Sequence, residues 1–216
     1  MHSNAVEAYK RTLKLTSKQR EVLVGKLLGD GHLETQDRGR TFRLNVEHGI
    51  AQREYVIWLH KIFLPWVLNP PKEKIQERAG KENRKIWFQT VSHPAFRFYG
   101  KQFYREKKKQ VPRIIHRLLG PLALAVWFMD DGSRKSATHR ALLLNTQAFD
   151  RRSLDRLRRV LQKSFGLETK LRRQREGFQI MIPASEADKF VALIEPNVLP
   201  MFRYKLGKLR NNMPKR

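Results

Sequence analysis

The sequence predicts an α+β fold built from two related halves, each running α-β-β-α-β-β-α with antiparallel strands. Three observations carry that expectation. Leu23-Val24-Gly25-Lys26-Leu27-Leu28-Gly29-Asp30-Gly31 returns in outline as Leu124-Ala125-Val126-Trp127-Phe128-Met129-Asp130-Asp131-Gly132, and Asp131 stands 101 positions after Asp30. Leu44-Asn45-Val46-Glu47 returns as Leu144-Asn145-Thr146-Gln147, 100 positions on. Residues Thr41 to Glu47 alternate strictly between apolar and polar, the signature of a half-buried strand. A fused duplication is the economical reading, with halves at 16–112 and 118–208 and tails at 1–15 and 209–216.

The elements follow in order. Thr16-x-x-Gln19 reads as a capping box that opens the first helix. Val22, Leu23, Val24, Leu27 and Leu28 cover most of that helix, so it is expected to be buried. Its counterpart starts at Gly120-Pro121, with proline suited to the first helical position. Both are expected to stop at Asp-Gly. A hairpin follows, whose strand at Thr41–Glu47 points Phe42, Leu44 and Val46 to the core and Thr41, Arg43, Asn45 and Glu47 to water. A helix over 52–63, a hairpin from Lys74 to Val91 turning near Gly80, and a helix over 93–104 complete the first half. In the second half, strands are expected at 133–137, 141–147, 168–174 and 178–182. Helices are expected at 151–165 and 185–195. Trp58, Trp66 and Phe96 read as core, whereas strand parity puts Trp87 on the face of Lys85 and Gln89.

Charge is the first clue to function. Lys plus Arg number 45 against 20 Asp plus Glu, a formal net charge of +25 with a pI near 10.9. Such a surface repels itself unless a polyanion is the working partner. The basic residues run along the whole chain, which favours nucleic acid over a membrane surface, where charge gathers on one amphipathic helix. With no cysteine there are no disulfides, thiolate zinc sites or cysteine nucleophile. The longest apolar run, Leu118 to Met129, is too short to span a membrane, and Met1 to Lys10 lacks the apolar region of a signal peptide. An intracellular setting follows, either bacterial cytoplasm or organelle matrix.

The polar strand faces suit base edges in a major groove. Arg43, Asn45, Lys85 and Gln89 are the expected DNA contacts on the first sheet, with Arg38 and Arg40 in its first hairpin. Lys170, Arg172 and Gln174 are expected on the second sheet, with Arg134, Lys135 and Arg140 in its first hairpin. The basic C-terminal tail, including Asn211 and Asn212, is read as a further phosphate contact. The seven histidines show no His-x-x-x-His spacing and read mostly as surface or phosphate contacts.

The acids are sharper. Asp30 and Asp131 close two buried helices, where a carboxylate meets the negative end of the helix dipole. Two such ends brought together call for a cation, and an oxygen-loving divalent ion such as Mg²⁺, or Mn²⁺ in its place, answers that need. Carboxylates, metal and a phosphodiester are the parts of metal-assisted hydrolysis.

The two helix segments, with Leu144-Asn145-Thr146-Gln147-Ala148-Phe149 and Pro200 to Leu206, resemble the LAGLIDADG homing endonucleases in their single-chain, two-motif form. The resemblance runs from about Thr16 to Leu206. It implies motif helices packed side by side at a pseudo-twofold axis, sheets forming a saddle over double-stranded DNA, and a monomer cutting both strands of a non-palindromic target. It assigns metal binding to Asp30 and Asp131, with Gly29 and Asp130 as neighbouring candidates. It places a lysine near each scissile phosphate, at Lys109 (with Lys108 as a rival) and at Lys205. The same fold also serves as an intron RNA maturase or as a DNA-binding regulator that has lost cleavage. Regulators usually append a helix-turn-helix domain, for which little room follows Leu206, and both acids are present here.

Overall fold

Alternation of apolar and polar residues sorts this chain into two four-stranded antiparallel sheets of the same topology. The computed structural model describes residues 4–78, 81–106 and 108–207. The turn expected near Gly80 and the basic tail with Asn211 and Asn212 lie outside those residues. Elements in chain order are α1 (Asn4–Thr12), α2 (Ser17–Leu28), β1 (His32–Glu34), β2 (Arg43–Gly49), α3 (Arg53–Ile62), β3 (Lys72–Arg78), β4 (Lys81–Gln89) and α4 (Arg97–Phe103). A short pair follows, β5 (Tyr104–Arg105) and β6 (Lys108–Lys109). Then come α5 (Pro121–Asp131), β7 (Gly132–Arg134), β8 (Leu142–Leu144), α6 (Arg151–Phe165), β9 (Lys170–Gln174), β10 (Gly177–Ile182) and α7 (Ala187–Ile194). The strand orders are β1-β2-β4-β3 and β7-β8-β10-β9, so the order of elements read from the repeat holds in both sheets.

Chain contacts define two compact units. One comprises the residues up to Leu23 with Asp30–Gln102, and the other comprises Val24–Gly29 with the chain from Phe103 onward. In the first unit, Leu44, Val46, Ile86 and Phe88 point from β2 and β4 onto Tyr55, Val56 and Leu59 of α3, all at most 3% exposed. Trp66 and Phe96 are buried as expected, whereas Trp58 is only half-buried and stacks at 6.0 Å on Tyr55. The capping box forms in both directions: the Thr16 N–H donates to Gln19 Oε1 at 3.0 Å and the Gln19 N–H to Thr16 Oγ1 at 3.2 Å. Residues 4–12, read from sequence as part of a tail, form α1. Tyr9 Oη donates to the Pro65 carbonyl at 2.7 Å, and the His93 ring meets the Lys10 carbonyl at 3.0 Å.

In the second unit, Leu142, Leu144, Ile180 and Ile182 form the inner sheet face. Helix α6 supplies Leu154, Leu157 and Leu161, and its Arg151 lies over the Phe178 ring at 5.6 Å, on that same inner side. Asp150 caps α6 by accepting from the Ser153 N–H at 2.7 Å. Strand β8 is shorter than the expected 141–147. The Thr146 hydroxyl replaces a ladder partner there, accepting from the Ile180 N–H and donating to the Phe178 carbonyl. Thr90 plays a like part in the first unit, accepting from the Leu44 N–H at 2.9 Å.

One of the two helix stops, that of α2, differs from expectation, while α5 stops at its Asp-Gly. α2 ends at Leu28, before Asp30, whereas α5 continues through Asp131. Gly132 is extended at φ −79°, so it is no left-handed cap. Glycine is needed there because an added Cβ would stand 2.3 Å from the Phe128 carbonyl oxygen.

The loop between β1 and β2 is pinned by one carboxylate. Asp37 accepts from the Thr41 N–H and hydroxyl and from the Thr35 hydroxyl, at 2.7–2.9 Å. The bonds from the Thr41 backbone and side chain lead in lowering its pKa from 3.8 to about 2. Ionised Asp37 therefore contributes stability that is complete above pH 3.8 and lost as the pH falls through about 2. We expect Asp37→Ala to melt below wild type near neutral pH. The gap should close as melting curves are recorded from pH 3.8 down to about 2.

Candidate active site

The ends of the two motif helices gather unpaired carbonyl oxygens and carboxylates, and lysines answer them. The last four carbonyls of a helix lack partners within it. In the second unit, Lys109 Nζ donates to the Gly29 carbonyl at 2.6 Å. Lys205 Nζ donates to the Met129 carbonyl at 2.6 Å and to the Asp130 carbonyl at 3.3 Å. Gly29 and Asp130 are counterparts in the repeat, so each lysine reaches the matching point of its own helix. Lys205 is 9% exposed, and Lys109 is held by its place on β6, which pairs with β5. Ammonium groups at helix C-termini are favoured by the dipole as well as by the hydrogen bonds.

Small residues set the spacing of these helices. An added Cβ at Gly25 would stand 2.4 Å from the Ala123 carbonyl oxygen, and one at Gly29 would stand 2.5 Å from an Asp130 carboxylate oxygen. Asp130 occupies the space that Gly29 leaves. Both its oxygens lie close to Lys26 Nζ, at 2.9 and 2.8 Å, and both side chains are fully buried. Lys26 was not singled out by the sequence, because a lysine in an apolar motif reads as a solvated position.

In the first unit, the half-exposed Asp30 carboxylate lies 3.9 Å from Nδ1 of His48. His48 is 6% exposed and tilts against Tyr55 at 5.1 Å, so it is a buried residue and not the surface contact expected of it. The parity of β2 carried that signal, since His48 continues the series of Leu44 and Val46. Asp131 is half-buried at the end of α5, and its carbonyl accepts from the Asn145 N–H at 3.0 Å. Carboxylate and carbonyl oxygens, in places that water can reach, are the donor set of a hard divalent cation such as Mg²⁺.

The polar sheet faces carry most of the expected contacts. Cross-strand register pairs Asn45 with Gln89 and Glu34 with Arg43, and parity puts Lys85 on the same face. Trp87 shares that face, half-buried. Acids preset this surface. Glu34 pairs with Arg43 and accepts from Asn45 Nδ2 at 2.7 Å, while Glu47 pairs with Lys74 at 2.5 Å and Lys85 at 2.7 Å. Burial raises the Glu47 carboxyl, but Lys74 and Lys85 together outweigh it and hold the group below its ordinary range.

On the second sheet, Asn145 pairs with Gln179, whose Nε2 donates to Asn145 Oδ1 at 2.6 Å, and Arg172 is the next partner across. Asn145–Gln179 is thus the counterpart of Asn45–Gln89. The sequence missed both members, although the Leu144-Asn145 repeat pointed at one. Lys170 and Arg172 are exposed and Gln174 half-buried on that face. Lys135 is exposed after β7. Arg134 pairs in register with Leu142, on the inner face, and donates to the Ala137 carbonyl. Arg140 is engaged by Asp188 of α7. Arg38 and Arg40 are exposed in the Asp37 loop, Arg38 in the left-handed region at φ 59°.

Comparison with known proteins agrees with this geometry. The model of the LAGLIDADG DNA endonuclease family matches residues 20–190. DNA endonuclease I-ChuI of Chlamydomonas applanata is 30% identical over 211 residues, covering 90% of this chain and 97% of its own. Cytochrome b mRNA maturase bI2 of Debaryomyces hansenii is 28% identical, over 87% of this chain and 72% of its own. Homing endonuclease I-WcaI, solved bound to its DNA recognition sequence, superposes with a TM-score of 0.91 at 26% identity, over 96% of this chain and 95% of that one.

The helix contact at Gly25 has no slack. Gly25→Ala should destabilise the protein by about 1–3 kcal/mol through overpacking against the Ala123 backbone, read as a lower midpoint in urea unfolding.

Proposed function

The chain belongs to the LAGLIDADG DNA endonuclease family, and from that premise we propose that it is a site-specific homing endonuclease hydrolysing both strands of a long, non-palindromic double-stranded DNA target. The repeated lysine contact is the observation that supports this most: Lys109 on the Gly29 carbonyl and Lys205 on the Met129 and Asp130 carbonyls. It puts one ammonium group beside each acidic motif end, Gly29-Asp30 and Asp130-Asp131, where a phosphodiester would gain negative charge during cleavage.

Asp30 and Asp131 would hold Mg²⁺ or Mn²⁺ through carboxylate oxygens. A bound divalent cation supplies polarisation of the attacking water and of the phosphate. Lys109 and Lys205 keep their ammonium groups fixed through the helix carbonyls, so no reorganisation is needed when charge develops on the phosphate. The two polar sheet faces would read the half-sites. Asn45–Gln89 and Asn145–Gln179 serve as like readers at matched points, with Arg43, Lys85, Lys170, Arg172 and Gln174 around them. The two faces differ in composition, which suits unlike half-sites.

One surface supports a second reading, assistance to intron RNA splicing. Arg152, Arg159 and Lys163 are exposed on α6 at helical spacing, with Arg156 between them donating to the Val111 carbonyl at 2.7 Å. Arg151 of that helix overlies Phe178, so α6 packs on the inner side of the sheet, away from Arg172 and Gln179. A maturase is among the relatives. Reversal of Arg152, Arg159 and Lys163 to Glu should weaken RNA binding while sparing DNA cleavage.

The decisive experiment selects cleaved sites from a randomised duplex library with Mg²⁺, beside Asp131→Asn. Wild type should enrich one long asymmetric site and the variant none. Lys205→Met should cut on the order of 100-fold more slowly at saturating DNA. Cutting by Asp131→Asn at the wild-type rate would remove its ligand role.

A further inference from the structure

The Lys26–Asp130 pair has no counterpart in the duplication. At the matching positions stand Trp127 and Gly29, so one motif carries the lysine and the other the acid. Both side chains are fully buried, with Lys26 Nζ within 2.9 Å of each Asp130 oxygen. A buried ion pair rarely adds net stability over apolar side chains of like volume, yet losing one partner is costly. Its presence therefore calls for a role beyond cohesion. The carboxylate also fills a space that is shaped for it, since any Cβ at Gly29 would clash with Asp130. Asp130 is bonded through its backbone to Asp131, and its own carbonyl accepts from Lys205.

We propose that Lys26 is a resident counter-ion and a positioning residue: its ammonium seats the Asp130 carboxylate in the gap over Gly29 and so fixes the Asp131 end of α5 for cleavage. The proposal deepens the nuclease reading and rests on it for the cleavage step. A lysine built into the first motif supplies positive charge among the acids of the second before any metal binds. The folded helix ends thus hold their register in metal-free protein. The asymmetry also separates the roles of the two acids in Asp130-Asp131. The first is fully buried against Lys26, and the second closes α5 in a half-buried position.

The test uses the full-length protein, with Lys26→Met and the apolar double variant Lys26→Met/Asp130→Leu. Melting is recorded in EDTA, duplex affinity is measured in EDTA, and single-turnover cleavage is followed with Mg²⁺ at saturating DNA. Lys26→Met should melt on the order of 10 °C below wild type, because it strands a buried carboxylate. The double variant should regain most of that loss and bind DNA with wild-type affinity. It should still cut on the order of tenfold more slowly or worse, because the acid-bearing helix end is no longer seated by the pair. A double variant that cuts at the wild-type rate would overturn the proposal, leaving only packing. So would Lys26→Met melting with wild type, or a loss confined to DNA affinity. If wild type itself cuts no DNA, the nuclease reading falls, and the melting of the two variants decides alone whether Lys26 serves as counter-ion.

Discussion

Negative charge concentrated at helix ends, and the ammonium groups that meet it, is the constraint on which this molecule turns. Carbonyl oxygens at the ends of α2 and α5 accept from Lys109 and Lys205, and the buried Asp130 is matched by Lys26. Each lysine comes from a different element: β6, the segment after α7, and α2 itself. The short β5–β6 pair and the 3₁₀ turn Pro200–Lys205 make sense as supports that deliver a charged group to a fixed point. Without them the carbonyl oxygens at each motif end, and the buried Asp130 carboxylate, would lack a compensating positive charge.

The sheets follow a different logic. Their inner faces are ordinary packing, with Leu, Val, Ile and Phe set against an amphipathic helix. Their outer faces are paired across strands by register, so a residue's neighbour lies on the adjacent strand in space and tens of positions away in sequence. Asn45 meets Gln89 and Asn145 meets Gln179 for this reason. Acids on the first face, Glu34 and Glu47, hold long basic side chains in place and temper a surface that net charge alone would paint as uniformly positive.

Much of this was legible in the residues. The Asp-Gly repeat, the Thr16–Gln19 capping box and the alternation of Thr41–Glu47 gave one sheet per half, the order of elements along the chain and the two motif helices; the strand order within each sheet was not among them. Lysine contacts with helix carbonyls were not legible, because they join positions 80 and 76 apart. Lys26 was hidden by its own chemistry: hydropathy sends a lysine outward, and only a partner on another helix reverses that. Helix α1 was missed because its few apolar side chains mark no stripe until Pro65 and His93 are present to receive it. Strand ends were misjudged at 141–147 because a threonine hydroxyl, not the backbone, closes that rung.

The acids on the first sheet have a consequence for retargeting. Arg43 and Asn45 share Glu34, and Lys74 and Lys85 share Glu47. On the proposed DNA-reading face, replacing Arg43 would leave Glu34 without a cation, and replacing Lys74 or Lys85 would leave Glu47 with one instead of two, so a new base preference would arrive together with a new repulsion. Under the proposed function, changes of specificity on this half would travel in linked sets, basic residue and acid together. The second half, where Gln179 donates directly to Asn145, would by the same proposal offer shorter routes to drift toward a new sequence.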